Sequence, residues 1–307
     1  MKQTRGEEIQ LAYHKQGYLS TMYRVNVGKT SYLAAVKHHD DSAMRAQREI
    51  DVLMVRRGRF APYPVTIDTS GQFLNDAIVL TEYVPERRWQ RGPNSIAELA
   101  QIIADIHSDP LLAQLPVDKN TPQDYSLNRE FSNEAKVIWT FSRGPFREQL
   151  NEMWELLQPR VEQWAARFAS DEIVYCHGDL PHHHVFRTAR GPVVIHWEFS
   201  RRSHPSREFG RICCLDEFSA NELDTLLDHY HALVNHRVSM STIRVQEILE
   251  YFYGCIHTVF WMDRCGYSVS QKHMETTLAR IRMTKAFLRA LIHREDAAAC
   301  ATATQTL

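Results

Sequence analysis

The sequence predicts an α+β protein with two unequal lobes, a small β-sheet lobe at the N-terminal end and a larger, mostly helical one after it. Three observations predict this. Short runs rich in aromatic and β-branched residues occupy the first 83 residues, and helical periodicity dominates from there on. A single β interruption, EIVYCHGDLPHHHVFRTARGPVVIHWEF, breaks the helical part. At 307 residues the chain is long enough for one large domain or two lobes with a sizeable core.

The elements follow in order. Residues 23–27 and 32–36 read as strands separated by turn residues of the GKTS type. After Asp40 and Asp41, SAMRAQREIDVLMVRR holds good helix formers, with Ile50, Leu53 and Met54 at helical spacing. Two further strands are expected around 65–67 and 77–83. The stretch Val84-Pro85-Glu86-Arg87-Arg88 with Gly92-Pro93 reads as a linker. A division into 1–83 and 84–307 follows. Ser95 with Glu98 has the form of a capping box ahead of IAELAQIIADIH. An irregular stretch is expected at 109–125, then a helix near 146–168 that Pro159 should kink. The β interruption reads as a strand, a polar loop and a hairpin. Helices resume near Ser206 and run to about Arg294, leaving AAACATATQTL as a loose tail.

Composition removes several functions. Lys+Arg number 36 against Asp+Glu 37, so no excess of positive charge exists to neutralise a nucleic-acid backbone. No apolar run approaches the roughly 20 residues of a spanning helix, and the opening MKQTRGEEIQ lacks the apolar core of a secretory signal. The six Cys form no CxxC pair and read as buried thiols in a reducing cytoplasm.

The chemistry concentrates in Cys176-His177-Gly178-Asp179-Leu180-Pro181-His182-His183-His184-Val185 and Val194-Ile195-His196-Trp197-Glu198. An Asp after Gly at the end of a strand can accept a hydroxyl proton and orient the attacking oxygen. An antiparallel hairpin returns the chain to its starting edge, so His184 and His196 are expected as neighbours near Asp179. With the rest of the chain, these motifs resemble the aminoglycoside phosphotransferase and choline kinase family, which shares the protein-kinase fold. That family has His-Gly-Asp, four intervening residues and a metal-binding Asn, then a hairpin leading to Ile-Asp-Trp-Glu. Here His177, Gly178, Asp179, Ile195, Trp197 and Glu198 keep the spacing. His184 stands at the Asn position and His196 at the Asp position.

The resemblance implies a bilobal protein-kinase-like fold and ATP-dependent phosphorylation of a small-molecule hydroxyl in the cytoplasm. Partners of the nucleic-acid or membrane kind are not expected. Asp179 would be the base, Lys37 of YLAAVK the contact to the nucleotide phosphates and Glu49 its ion-pair partner. Glu82 and Val84, within Thr81-Glu82-Tyr83-Val84, would hold adenine through backbone groups, and Gly17-Tyr18-Leu19-Ser20-Thr21 would cover the phosphates. The Lys37 ammonium is expected to face Glu49 and point toward Asp179. The family's metal is Mg²⁺, which prefers oxygen ligands, so two imidazoles are poor substitutes. Three readings stand: Glu198 or Asp179 holds the metal, a softer ion such as Mn²⁺ or Zn²⁺ is used at His184 and His196, or transfer has been lost. The last makes the chain a pseudokinase that binds nucleotide or acts as an interaction module. His182 and His183 read as loop residues, and a non-kinase metal site on the histidines is a further alternative. His177 reads as a brace for the backbone. Asp216, Glu217, Glu222, Asp224 and Asp228 read as a solvated face, and Tyr251-Phe252-Tyr253 as helical core.

Overall fold

The structure, a computed structural model, describes residues 8–16, 20–38, 42–56, 60–71, 76–85, 89–90, 95–115, 126–142, 144–168, 173–216, 218–264 and 271–305. Gly17, Tyr18 and Leu19 of the expected phosphate-covering hairpin, together with Glu217 and Cys265, lie outside them. The chain forms two compact units. One comprises 1–121, 174–202 and 218–235; the other comprises 122–173, 203–217 and 236–307. The expected boundary after residue 83 is a different kind of division, a change from strand to helix that falls within the first unit.

The first unit holds a five-stranded antiparallel sheet in the order β1-β2-β3-β5-β4. Its strands are β1 (Ile9–Gln16), β2 (Ser20–Val27), β3 (Thr30–Lys37), β4 (Pro64–Asp68) and β5 (Ala77–Glu82). β1 was not expected. Its signal is present in the alternation Ile9, Leu11, Tyr13, but these residues are 64–67% exposed, so the apolar stripe faces outward. The short turn at Gly28 (φ +58°) joins β2 to β3, a left-handed backbone that glycine adopts without a Cβ clash. The helix α1 (Ser42–Arg56) packs on β3, β4 and β5 through a buried stripe of Ala46, Ile50 and Leu53.

In the same unit α2 (Ser95–His107) packs on α6 (Ala220–Leu233), and the Tyr230 hydroxyl lies 2.6 Å from His107 Nδ1. Glu98 does more than its capping position suggests. It accepts from Trp89 Nε1 at 2.7 Å and from Arg187 at 2.5 Å. Buried Arg56, on the last turn of α1, is ion-paired with buried Asp109. The strand β6 (Val174–Cys176) leads through a short 3-10 turn, His182–His184, into the hairpin of β7 (Val185–Thr188) and β8 (Gly191–Val194). The strand β9 (Arg201–Ser203) follows.

The second unit is helical: α3 (Leu127–Phe141), α4 (Gly144–Ala165), α5 (Ser206–Asp216), α7 (Met240–Arg264) and α8 (Gln271–Gln305). Its core joins Phe131, Leu150, Leu157, Ile248, Phe252 and Leu288, so the aromatic run at 251–253 contributes Phe252 and Tyr253 to packing. The helix α4 continues through Pro159 rather than ending there. The expected loose tail is a correction: α8 extends to Gln305. An alanine-rich segment loses little side-chain entropy in a helix and needs no apolar periodicity to extend one. Glu222 also has a structural task, closing a capping box with Ser219 at the start of α6.

α5 and α7 approach closely at Gly210. A Cβ there would lie 2.5 Å from Gln246 Cβ and 2.8 Å from the α7 backbone. Gly210→Ala should therefore lower stability by about 1–3 kcal/mol through overpacking, read as the shift in a urea unfolding midpoint.

Candidate active site

The sheet builds the ceiling of a pocket. Side chains alternate along a strand, and directly paired residues point to the same face. The register pairs Met22 with Ala35 and Ala35 with Val79, while Leu33 pairs with Thr81. These residues line the pocket, and Lys37, two residues beyond Ala35, ends the same row of β3. Phe186 and Ile195 from the hairpin segment line it as well. The result is a slot with apolar side chains along the sheet and a buried charge where the β3 row ends.

That charge is Lys37. It is 2% exposed, and its Nζ lies 2.7 Å from Glu49 Oε2 and 2.6 Å from Glu198 Oε2. α1 supplies Glu49 and, one turn earlier, Arg45, whose Nη1 is 3.7 Å from the same Glu198 oxygen. Arg48 donates to the Glu198 carbonyl at 3.1 Å. Burial pushes the Lys37 ammonium down, but Glu49 and Glu198 outweigh it and hold its pKa above the ordinary value. Burial likewise pushes Glu198 up; Lys37 and then His196 reverse this and hold its carboxyl well below the usual range. Lys37 and Arg45 thus face two carboxylates.

Below them, the polar loop after β6 is braced from within. His177 Nε2 donates to the Ile195 carbonyl at 2.9 Å, so Nδ1 carries the lone pair and accepts the Asp179 N–H at 3.1 Å. Gly178 has φ +79°, and a Cβ there would lie 2.5 Å from the Phe199 carbonyl oxygen, so only glycine fits. Asp179 is 8% exposed. His184 Nδ1 donates to the Asp179 carbonyl at 2.9 Å and lies 3.4 Å from Asp179 Oδ2. His196 sits in the left-handed region (φ 67°, ψ 47°), which His tolerates better than most residues. Its ring is 4.3 Å from that of His184, and its Nδ1 is 3.5 Å from Glu198 Oε1.

Lys37, Glu49, Glu82, Val84, His184 and His196 therefore line one pocket, and Asp179 is tied to it through His184. At the hinge, the Glu82 N–H donates to the Tyr63 carbonyl at 2.9 Å and the Tyr83 N–H to the Ser31 carbonyl at 3.2 Å. The Glu82 carboxylate is ion-paired with Arg190 of the hairpin turn, whose guanidinium stacks 4.4 Å from the Tyr63 ring centre. Sequence reading missed Arg45, Arg48 and Arg190, and it missed Glu198 as a second partner of Lys37. No local motif marks them; on α1 the signal is the spacing of Arg45, three residues before Arg48 and four before Glu49.

The chain belongs to the phosphotransferase enzyme family, whose model matches residues 11–241. No curated protein matches it. Among solved structures it is similar to a choline kinase from Streptococcus pneumoniae, with TM-score 0.64, 16% identity, and 91% of this chain and 93% of that one covered. A macrolide 2'-phosphotransferase from Brachybacterium faecium gives TM-score 0.59, 15% identity, and 90% and 94% covered. A spectinomycin phosphotransferase, solved with ADP and spectinomycin, gives TM-score 0.57, 14% identity, and 92% of each chain. The α+β, protein-kinase-like fold expected from the sequence is the fold of the chain.

Burial, then neighbouring His196, hold the His184 pKa down at about 3, against the opposing pull of Asp179. The unfolded imidazole binds a proton near 6.5. Between these values the unfolded state holds more protons, so stability rises with pH across the window. From about pH 7 to about pH 5, wild type should lose roughly 1–2 kcal/mol more than His184→Asn, measured by urea unfolding at both pH values.

Proposed function

We propose that the chain is a small-molecule kinase of the aminoglycoside phosphotransferase type, transferring the γ-phosphate of ATP to a hydroxyl of a small substrate. The observation that carries this reading is the buried Lys37–Glu49 pair in a slot that His184, Phe186, Ile195 and His196 also line. A purine fits between Ala35 and Val79 on one side and Phe186 and Ile195 on the other. The hinge N–H groups of Glu82 and Tyr83 are engaged by the sheet, so recognition of the base falls to Val84 and the hinge carbonyls. Lys37 meets the phosphates and Glu49 orients it. In this reading residues 1–83 are the nucleotide lobe and 84–307 the catalytic and substrate lobe, acting in the cytoplasm. Among the described residues no helix is long and apolar enough to cross a membrane.

The reaction needs one proton acceptor beside the incoming hydroxyl. A new P–O bond forms to the acceptor oxygen as the bond from the γ-phosphorus to the bridging oxygen breaks, and the hydroxyl proton passes to Asp179. The backbone brace through His177 and Gly178 holds that carboxylate in place. The solved spectinomycin phosphotransferase with ADP and spectinomycin and an amicoumacin kinase with AMP-PNP support a nucleotide and a small-molecule substrate for a chain of this fold.

The family's Mg²⁺ does not fit the two imidazoles that stand at its expected ligand positions. Magnesium takes oxygen donors in near-octahedral geometry. His184 and His196 offer nitrogen, and the nearby Glu198 carboxylate already binds Lys37 through Oε2. The same two facts favour the second reading, a pseudokinase: Glu198 occupies the cation that phosphate would need, and His196 lacks the expected carboxylate.

Acceptor-dependent ADP release, screened across hydroxylated small molecules, separates the two readings; absence of ADP release with every acceptor and every divalent cation would favour the pseudokinase. In an active pairing, Asp179→Asn should lower kcat by about 10²–10⁴-fold while ADP affinity stays within about twofold, because the base acts on the acceptor. Equal losses of turnover and binding would mark Asp179 as structural.

A further inference from the structure

Two imidazoles in the pocket share one arrangement. The Asp179 carbonyl can only accept, so the His184 nitrogen facing it at 2.9 Å, Nδ1, carries the proton. The Glu198 carboxylate can also only accept, and the His196 nitrogen facing it at 3.5 Å is again Nδ1. In both rings the lone pair is therefore left on Nε2. The rings lie 4.3 Å apart between centres, tilted by 38°, in the pocket that Lys37 also lines. Histidines that hold metals donate their other ring N–H to a carbonyl or carboxylate in just this way, which fixes the tautomer and raises ligand basicity. His196 is held in the left-handed backbone region, and its left-handed turn continues directly into the 3-10 turn that carries Glu198.

We propose that Nε2 of His184 and Nε2 of His196 form a binding site for a borderline divalent cation of the Zn²⁺, Co²⁺ or Ni²⁺ kind, and that this site discriminates against Mg²⁺. Imidazole nitrogen suits those ions, whereas Mg²⁺ requires oxygen and gives up its water reluctantly. The two nitrogens leave the remaining positions of a four-coordinate ion open, as in sites that also take an exogenous ligand. Lys37 lies in the same pocket, so an anion there would meet the cation and the ammonium together. The His182 ring packs on His183, at 5.5 Å between centres, and is exposed; it is not part of the site. The proposal goes beyond the phosphotransferase reading and does not need it, because it concerns metal alone.

The test is calorimetric titration of the full chain with Zn²⁺ and, separately, Mg²⁺, without nucleotide. One Zn²⁺ per chain is expected, with Mg²⁺ at least about 100-fold weaker. His184→Asn and His196→Asn should each weaken Zn²⁺ by at least about tenfold, and His182→Ala should leave it unchanged. Asn tolerates the left-handed backbone at 196, so that variant keeps the fold. Should either variant unfold, Co²⁺ added to wild type provides the second reading: visible ligand-field bands that one equivalent of Zn²⁺ abolishes. Absence of Zn²⁺ binding, equal affinity for Mg²⁺, loss of binding in His182→Ala, or unchanged binding in both Asn variants would overturn the proposal. A failed search for a phosphate acceptor would leave each of these results as it stands.

Discussion

The Lys37 ammonium, buried between the Glu49 and Glu198 carboxylates, is the interaction on which the rest of the site depends. A fully buried cation is tolerable only when paired and hydrogen-bonded, and removing one partner of a buried pair costs about 3–5 kcal/mol. Meeting that requirement joins three parts of the chain: the end of β3, the middle of α1 and the turn after the β7–β8 hairpin. Arg45 balances the second carboxylate, and Arg48 holds its backbone. The position of α1 against the sheet follows from these charges as much as from Ile50 and Leu53.

The same pairing governs what the pocket can accept. Glu49 arrives from the helix and Glu198 from the turn after His196, so under the proposed function an incoming phosphate would compete with Glu198 for Lys37. His196 bears on that competition because it lies 3.5 Å from the other oxygen of Glu198. A cation held by His184 and His196 would add positive charge on the phosphate side of this balance. The choice between a working kinase and a nucleotide-binding relic therefore rests on how the charges divide at Glu198, and less on Asp179, whose backbone brace is complete.

The sequence carried the local parts of this arrangement well. Strand periodicity located β2, β3 and β5, and the spacing from His177 through Glu198 carried the polar loop and hairpin, with His184 beside His196. It missed β1 because Ile9, Leu11 and Tyr13 turn outward, so alternation there does not signal burial. The helical end of α8 was missed because alanine stabilises a helix without leaving an apolar stripe. The Lys37–Glu198 contact spans 161 residues and has no local pattern, since either charge alone reads as an ordinary surface group. Arg190 reaching Glu82 is hidden for the same reason. Long-range charge pairing becomes visible only once the sheet register and the hairpin turn are both set.

The central claim is that Lys37 is the cation that receives phosphate. Its most direct test is calorimetric titration of ADP into wild type and Lys37→Met, with folding of both checked by circular dichroism. Methionine keeps the length and burial of the side chain and removes its charge. The account predicts at least about a tenfold loss of ADP affinity in the variant, as expected for one charge-assisted contact to phosphate. Equal affinity in two folded proteins would contradict it and place the nucleotide, if it binds, away from the Lys37–Glu49 pair.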